Sequence, residues 1–242
     1  MLELRNPHSV IAALEARAGD VRALELARGG GGTAWQEARR LAERLGVAIT
    51  PIEERRGGGG RGLGSVARVV ERAPVAVEGL FAAGPGRGIW LALDSIQDPQ
   101  NVGAIFRIAA FFGVRGVVMA KDRAAPMSGT VYDVASGGVE AVPFAVETNL
   151  YRALGVAREA GVWLLGSSEH AERSVYEVAL DRPWLLVLGN EERGLRPRIA
   201  AACDELARVA PAPGAGVTSL NVASAAAVLV SALSRDTAAA TR

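Results

Sequence analysis

From residue 89 onward, short unbroken apolar runs alternate with longer stretches that suit helices. Ile89 to Leu93, Gly116 to Ala120, Val162 to Gly166, Trp184 to Leu188 and Leu206 to Ala210 are runs of strand length. Between and after them, Asn101 to Phe112, Leu150 to Ala160, Pro197 to Cys203 and Leu220 to Leu233 predict helices. Continuous apolar strands, rather than alternating ones, predict a parallel sheet covered by helices on both faces, an α/β fold. Ligands of such sheets bind at loops beyond the carboxyl ends of the strands.

The first 75 residues are less regular. Val10 to Ala18 predicts a helix started by Pro7 and Ser9, and Val21 to Ala27 is a short apolar run. Gly29 to Gly32 interrupts the chain. Thr33 is placed to cap a helix that runs to Leu45 and stops at Gly46, with a strand at Val47 to Ile49. A second break, Gly57 to Gly64, precedes a strand at Ser65 to Val70. The stretch from Ala73 to Gly88 holds Pro74, Gly79, Gly84, Pro85, Gly86 and Gly88, and it reads as a linker. The expected organisation is therefore a front domain over 1–73, a linker over 74–88 and a second domain over 89–242.

Composition narrows the classes. At 242 residues and 50% hydrophobic, the chain has material for a globular core, which excludes intrinsic disorder. Cys203 is the only cysteine, so a disulfide framework is excluded and a reducing compartment, the cytoplasm, is expected. The opening MLELRNPHSV has no basic-then-apolar signal pattern. Val209 to Ser234 is uncharged and long enough to cross a bilayer. Pro211, Pro213, Gly214, Gly216 and Asn221 break its first half, however, and the remaining Val222 to Leu233 is too short to span. A soluble protein is expected.

Charge is nearly balanced, with 27 basic and 26 acidic groups, and Lys121 is the sole lysine. A genome rich in G and C accounts for such arginine use, together with the many Ala, Gly and Val residues. Residues 1–75 carry 12 arginines against 9 acidic groups, an excess compatible with RNA binding by the front domain.

Several familiar sites are missing from the sequence. There is no GxxxxGK[ST] phosphate loop and no GxSxG elbow. His8 and His170 are the only histidines, so no metal site of usual zinc composition is expected, and both read as surface or packing residues. Gly62 to Ala67 matches a GxGxxA dinucleotide fingerprint, but glycine and arginine precede it instead of a strand, and no acidic residue sits near the required offset of about 20 residues.

Three segments at predicted strand ends carry the candidate chemistry. The first is Leu93 to Arg107, LDSIQDPQNVGAIFR, in which Asn101 opens a helix and Arg107 follows inside an apolar run. Such an arginine is either a snorkelling or ion-paired structural residue, or a fork of donors for phosphate. The second is Val187 to Leu195, VLGNEERGL, either a polar turn or a backbone cradle with Glu191 aimed into it. The third is Thr218 to Ala225, TSLNVASA, where Ser219 and Asn221 start the final helix; capping explains Ser219, but not the uncharged Pro/Gly loop before it.

Taken in this order, DPQNVGAIFR, LGNEERGL and SLNVASA resemble the SPOUT superfamily of RNA methyltransferases, and in particular the TrmH branch of ribose 2'-O-methyltransferases. The resemblance covers residues 89–242. The front segment, with Asn6-Pro7-His8-Ser9-Val10 and Leu45-Gly46-Val47, is similar to the ribosomal-protein-like substrate-binding domain of the RlmB type. The resemblance implies a parallel-sheet domain ending in a deep trefoil knot, S-adenosyl-L-methionine as cofactor, and a homodimer with the active site formed across it. It implies catalytic roles for Asn101, Arg107, Glu191, Ser219 and Asn221, and cofactor contacts, largely by backbone, at Gly189, Asn190, Ala210 and Leu220. The implied substrate is structured RNA, favouring a guanosine of 23S rRNA over tRNA, with no metal and no membrane. A non-catalytic RNA-binding or assembly factor of the same fold is the reading from another class.

Two departures from the family pattern bear on substrate choice and on the cofactor loop. Gly62-Leu63-Gly64 stands where many members have His-Gln-Gly, and Ala210-Pro211-Ala212 stands for the usual Ile-Pro-Met.

Overall fold

A computed structural model describes residues 1–27, 32–52, 64–82, 87–217 and 219–235. The front part consists of β1 (Leu2–Leu4), α1 (Pro7–Arg17), β2 (Val21–Ala27), α2 (Thr33–Leu45), β3 (Ile49–Ile52) and β4 (Val66–Val69). Its four strands form a mixed sheet in the order β1-β4-β2-β3, with β2 and β3 parallel and β4 antiparallel to both neighbours. Asn6 caps α1 by accepting from the His8 amide, and Pro7 sits where a missing N–H costs nothing. Helix α2 ends at Gly46, whose φ of 71° is the left-handed conformation of a helix stop. Its start differs from expectation: Gly32, not Thr33, is the cap, and Thr33 is already helical. The breaks at 29–32 and 57–64 fall largely outside the described residues, as do Gly62 and Leu63 of the GxGxxA run, whose Val66 and Ala67 belong to β4.

The expected linker contains α3 (Val77–Phe81), whose Val77, Leu80 and Phe81 are buried. This segment is thus partly packed structure, because three apolar side chains at helical spacing outweigh the surrounding Pro and Gly.

The larger part continues with β5 (Ile89–Leu93), α4 (Pro99–Phe111), β6 (Val117–Ala120), α5 (Gly129–Ala135), α6 (Gly138–Ala141) and β7 (Phe144–Glu147). Then come α7 (Leu150–Glu159), β8 (Trp163–Ser167), β9 (Trp184–Leu188), α8 (Pro197–Ala200), β10 (Glu205–Ala207) and α9 (Val222–Ser234). All pairings in its six-stranded sheet, order β10-β8-β9-β5-β6-β7, are parallel.

Successive strand residues alternate between two cores. Leu91, Leu93, Leu186 and Leu188 pack on one face with α4, α5 and α9. Trp90, Ala92, Leu185 and Val187 pack on the other with α3 and α7. A sheet buried on both sides needs apolar residues at every position, which is why these strands read as continuous runs.

Helix α4 begins at Pro99 with Asp98 as its cap, two residues before the expected start at Asn101. Strand β10 is shorter and earlier than the run from Leu206 to Ala210 suggested. Helix α9 is capped by Asn221, two residues inside the expected start.

The front part is bound to α5 and α6 by polar contacts. Asp133 accepts from the backbone amides of Arg5 and Asn6, both at 2.9 Å. Ser9 donates to the Tyr132 carbonyl at 2.6 Å, and Arg17 pairs with Glu140 at 2.8 Å. The Tyr132 phenol accepts from the Arg72 amide at 2.9 Å, and burial pushes it up to about 12.

Candidate active site

The carboxyl ends of β5 and β9 and the start of α9 bring the three segments together. Directly after β5, Asp94 is fully buried and accepts from the Arg196 side chain at 2.6 Å and its amide at 3.0 Å. The next residue, Ser95, has a φ of 64°, a left-handed conformation costly for a side-chain-bearing residue. That twist leaves its carbonyl accepting from the Asn190 side chain at 3.0 Å, so the loop after β5 is tied to the loop after β9.

The loop after β9 is a closed cradle. The backbones of Asn190 and Gly194 exchange hydrogen bonds of 3.0 and 2.9 Å, and the Asn190 side-chain oxygen accepts from the amides of Glu192 and Arg193. Gly189 is required by close approach: a Cβ there would lie 2.3 Å from the Gly194 carbonyl carbon.

Three side chains then join the segments. Asn101, in the first turn of α4, donates to Glu191 at 2.7 Å and accepts from Asn221 at 2.9 Å. Asn221 uses its own oxygen to cap α9, accepting from the Ala223 and Ser224 amides. Each amide spends its donor on one neighbour and its acceptor on another, so the chain Glu191–Asn101–Asn221 is matched at both links. With Asn101 buried, these bonds are worth more than they would be in water.

Beside this junction lies a cleft of about 600 Å³, walled by the β9 loop, by the segment after β10 and by the approach to α9. Gly189, Asn190, Ala210 and Leu220, the four residues expected at a cofactor, all line it, as do Glu191 and Ser219. Asn101 and Asn221 stand behind Glu191 and are not in its wall. Arg107 is exposed on α4, six residues beyond Asn101, and makes no hydrogen bond or ion pair among the described residues. It is outside the cleft wall; its exposure is compatible with the snorkelling role open to it in the sequence, while the ion-paired role has no partner among the described residues. Thr218 is not among the described residues.

Sequence reasoning passed over the Asp94–Arg196 tie and Arg208. An aspartate ending a fully apolar strand was the available signal for the first. Arg208 has a buried Nε without a partner, and nothing in the order of residues marks it. His170, expected as a surface or packing residue, is exposed but sits in the cleft wall. Burial pushes the Cys203 thiol up to about 12, leaving it unreactive as a nucleophile. Among the described residues, no group of His, Cys, Asp or Glu is placed to hold a metal ion, and no helix is long and apolar enough to cross a membrane.

Residues 88–231 match the model of the SpoU rRNA Methylase family. The chain is 44% identical over 138 residues to the 23S rRNA (guanosine-2'-O-)-methyltransferase RlmB of Nitrosomonas europaea, covering 57% of this chain and 52% of that protein. It is 43% identical over 152 residues to the enzyme of the same name from Xanthomonas campestris, covering 63% and 60%. The similarity thus spans about half to three-fifths of these relatives' length. Among solved structures, the SpoU methyltransferase AviRb from Streptomyces viridochromogenes shares the fold, with a TM-score of 0.79 at 23% identity over 99% of this chain and 90% of that one. AviRb has also been crystallised in complex with AdoMet. An RNA methyltransferase structure of the TrmH family from Porphyromonas gingivalis matches with a TM-score of 0.71 at 25% identity, over 97% and 90%.

Proposed function

Given that the chain belongs to the SpoU rRNA methylase family, we propose that it methylates a ribose 2'-hydroxyl of structured RNA, a guanosine of 23S rRNA, using S-adenosyl-L-methionine. The observation that carries this reading is the hydrogen-bonded link from Asn221 through Asn101 to Glu191, which joins three distant segments at the wall of a cleft sized for a small cofactor.

The residues present suit that cofactor. Gly189, pressed against the Gly194 backbone, leaves main-chain groups rather than a side chain facing the cleft, and Asn190, Ala210 and Leu220 complete a wall of backbone and small side chains. When bound, S-adenosylmethionine supplies a methyl group already activated by its sulfonium. The protein therefore has to align the 2'-oxygen and lower the cost of removing its proton. To Arg107, exposed and uncommitted, this reading gives the task of gripping an RNA phosphate and stabilising negative charge developing on that oxygen. It serves as a fixed cation that donates through its planar fork. Asn101 and Asn221 hold Glu191 in place, and Glu191 and Ser219 orient what enters the cleft.

The same reading assigns the front part as the RNA-binding domain over 1–73, joined through 74–88 to the methyltransferase domain over 89–242, with a C-terminal trefoil knot. It makes the working enzyme a cytoplasmic homodimer. Phe111, at the end of the Arg107 helix, is 82% exposed and Val217, beside the cleft, 69% exposed; both suit a partner subunit.

Methyl transfer from radiolabelled S-adenosylmethionine, run in parallel on unmodified large-subunit rRNA and bulk tRNA and followed by alkaline digestion, tests the proposal. Label in an alkali-resistant dinucleotide from rRNA, lost in Arg107→Ala, is the expected result. Arg107→Lys keeps the charge but loses the fork, and its turnover is expected to fall by at least about tenfold. Near-normal turnover in that variant would remove Arg107 from its role. Label only in tRNA would reassign the substrate, and no label together with no cofactor binding would favour an assembly factor of this fold.

A further inference from the structure

We propose that Arg208 recognises the carboxylate of the cofactor's amino-acid end, and so anchors that end of the molecule in the cleft. This rests on the reading of the cleft as an S-adenosylmethionine site. The starting observation is an uncompensated charge. Arg208 lines the cleft, yet its guanidinium makes no ion pair or hydrogen bond among the described residues, and its Nε is sealed from solvent without an acceptor. Removing part of a guanidinium from water without a partner is unfavourable, and a counter-charge at its terminal nitrogens, which pair with nothing among the described residues, would offset that cost.

The backbone holds the residue firmly in this position. The Arg208 amide donates to the Arg173 carbonyl at 3.0 Å, and the Arg208 carbonyl accepts from Val175 at 3.0 Å. The side chain therefore projects from a segment braced on the edge of the sheet beside β10.

The charges around the cleft select the ligand group. Glu169, Glu191 and Glu192 are its acidic members, and His170, Arg193 and Arg208 its basic ones. His170 and Arg193 are exposed, while Arg208 is half-buried. S-adenosylmethionine carries two positive groups, the sulfonium and the ammonium, and one negative group, the carboxylate. The glutamates suit the first two. A half-buried guanidinium repels both and matches the third, with a charge-assisted geometry that its terminal nitrogens can supply.

The test is calorimetric binding of two probes, S-adenosylhomocysteine and its decarboxylated analogue, to the wild-type protein and to Arg208→Gln and Arg208→Lys. The wild type is expected to prefer the carboxylated probe by roughly ten- to a hundredfold. In Arg208→Gln that preference should fall to within about twofold while the decarboxylated probe, freed of the repulsion on its ammonium, binds at least as tightly as to the wild type, which also shows that the cleft has folded. Arg208→Lys should retain part of the preference. Equal weakening of both probes, or a preference that survives Arg208→Gln, would overturn the assignment. A wild-type protein that binds neither probe would instead overturn the reading of the cleft itself.

Discussion

Asn101 owes its usefulness to being neutral and two-sided. Its amide nitrogen faces a Glu191 oxygen at 2.7 Å while its oxygen faces the Asn221 nitrogen at 2.9 Å, an arrangement no other residue of that size reproduces. Asn101→Asp keeps the shape and the bond from Asn221 but sets a carboxylate oxygen where Glu191 needs a donor. The expected cost is about 1–3 kcal/mol of stability, read from the midpoint of urea unfolding, with methyl transfer falling further than stability alone explains. A variant as stable and active as the wild type would mean that Glu191 is held by something else. Of this junction the sequence displayed the members but not the wiring. Asn101, Glu191 and Asn221 stood out by their motifs, whereas the bonds between them depend on where α4 and α9 come to rest.

Helix α4 carries both Asn101 and Arg107, so its seat governs the site. It is pressed against its neighbours at two glycines. A Cβ at Gly103 would meet the Val131 carbonyl oxygen at 2.7 Å, and one at Gly138 would meet the Phe106 carbonyl oxygen at 2.5 Å. Gly138→Ala must therefore push α4 away from α6, at the residue just before Arg107. A loss of about 1–3 kcal/mol by thermal unfolding is expected, with turnover reduced as well. Gly155, inside α7, is the opposite case, with nothing within 4 Å of its would-be Cβ. Gly155→Ala should stabilise the protein by about 0.5–1 kcal/mol and leave turnover alone. If both substitutions act alike, close packing is not what seats α4.

At this scale the sequence was uneven. Helix α2 and its Gly46 stop could be read directly, because an amphipathic stretch and a glycine act locally. Strand β7, helices α5 and α6 and strand β1 could not. They are three to seven residues long, too short for a period to emerge, and β1 exists by pairing with β4, far along the chain. Helices α5 and α6 are also separated by Ser136 and Gly137, both left-handed, a bend that the letters alone resemble in many loops.

For the molecule as a whole, the docking of the front part on α5 and α6 should be sensitive to alkali. Tyr132 sits in that junction with its phenol pushed up to about 12 by burial, against the opposing pull of the hydrogen bond from Arg72. A weakened acidity in the folded state means that the neutral phenol is favoured by folding. Its contribution is complete below about pH 10 and is lost as pH rises through about 12, amounting to on the order of 1–2 kcal/mol. Tyr132→Phe should cost about 1 kcal/mol at neutral pH through the bond to Arg72, and should flatten the fall in stability between those two pH values. An unchanged alkaline profile would place the titrating group elsewhere. The near-balance of 27 basic and 26 acidic groups leads to a further expectation, that binding to unrelated RNA is weak in a filter-binding titration. Tight, salt-insensitive binding to any RNA would contradict it.

The link between Asn101 and Asn221 has a consequence for synthesis. The two residues are 120 positions apart, and the second caps the last helix described. While the chain is being made, Asn101 emerges long before Asn221, and Glu191 precedes it by 30 residues. Until Asn221 has been added and α9 has packed, the oxygen of Asn101 lacks its donor and the cleft lacks the wall that Ser219 and Leu220 provide. A nascent chain stalled short of that point should therefore fail to bind S-adenosylhomocysteine, and competence should arrive late and all at once.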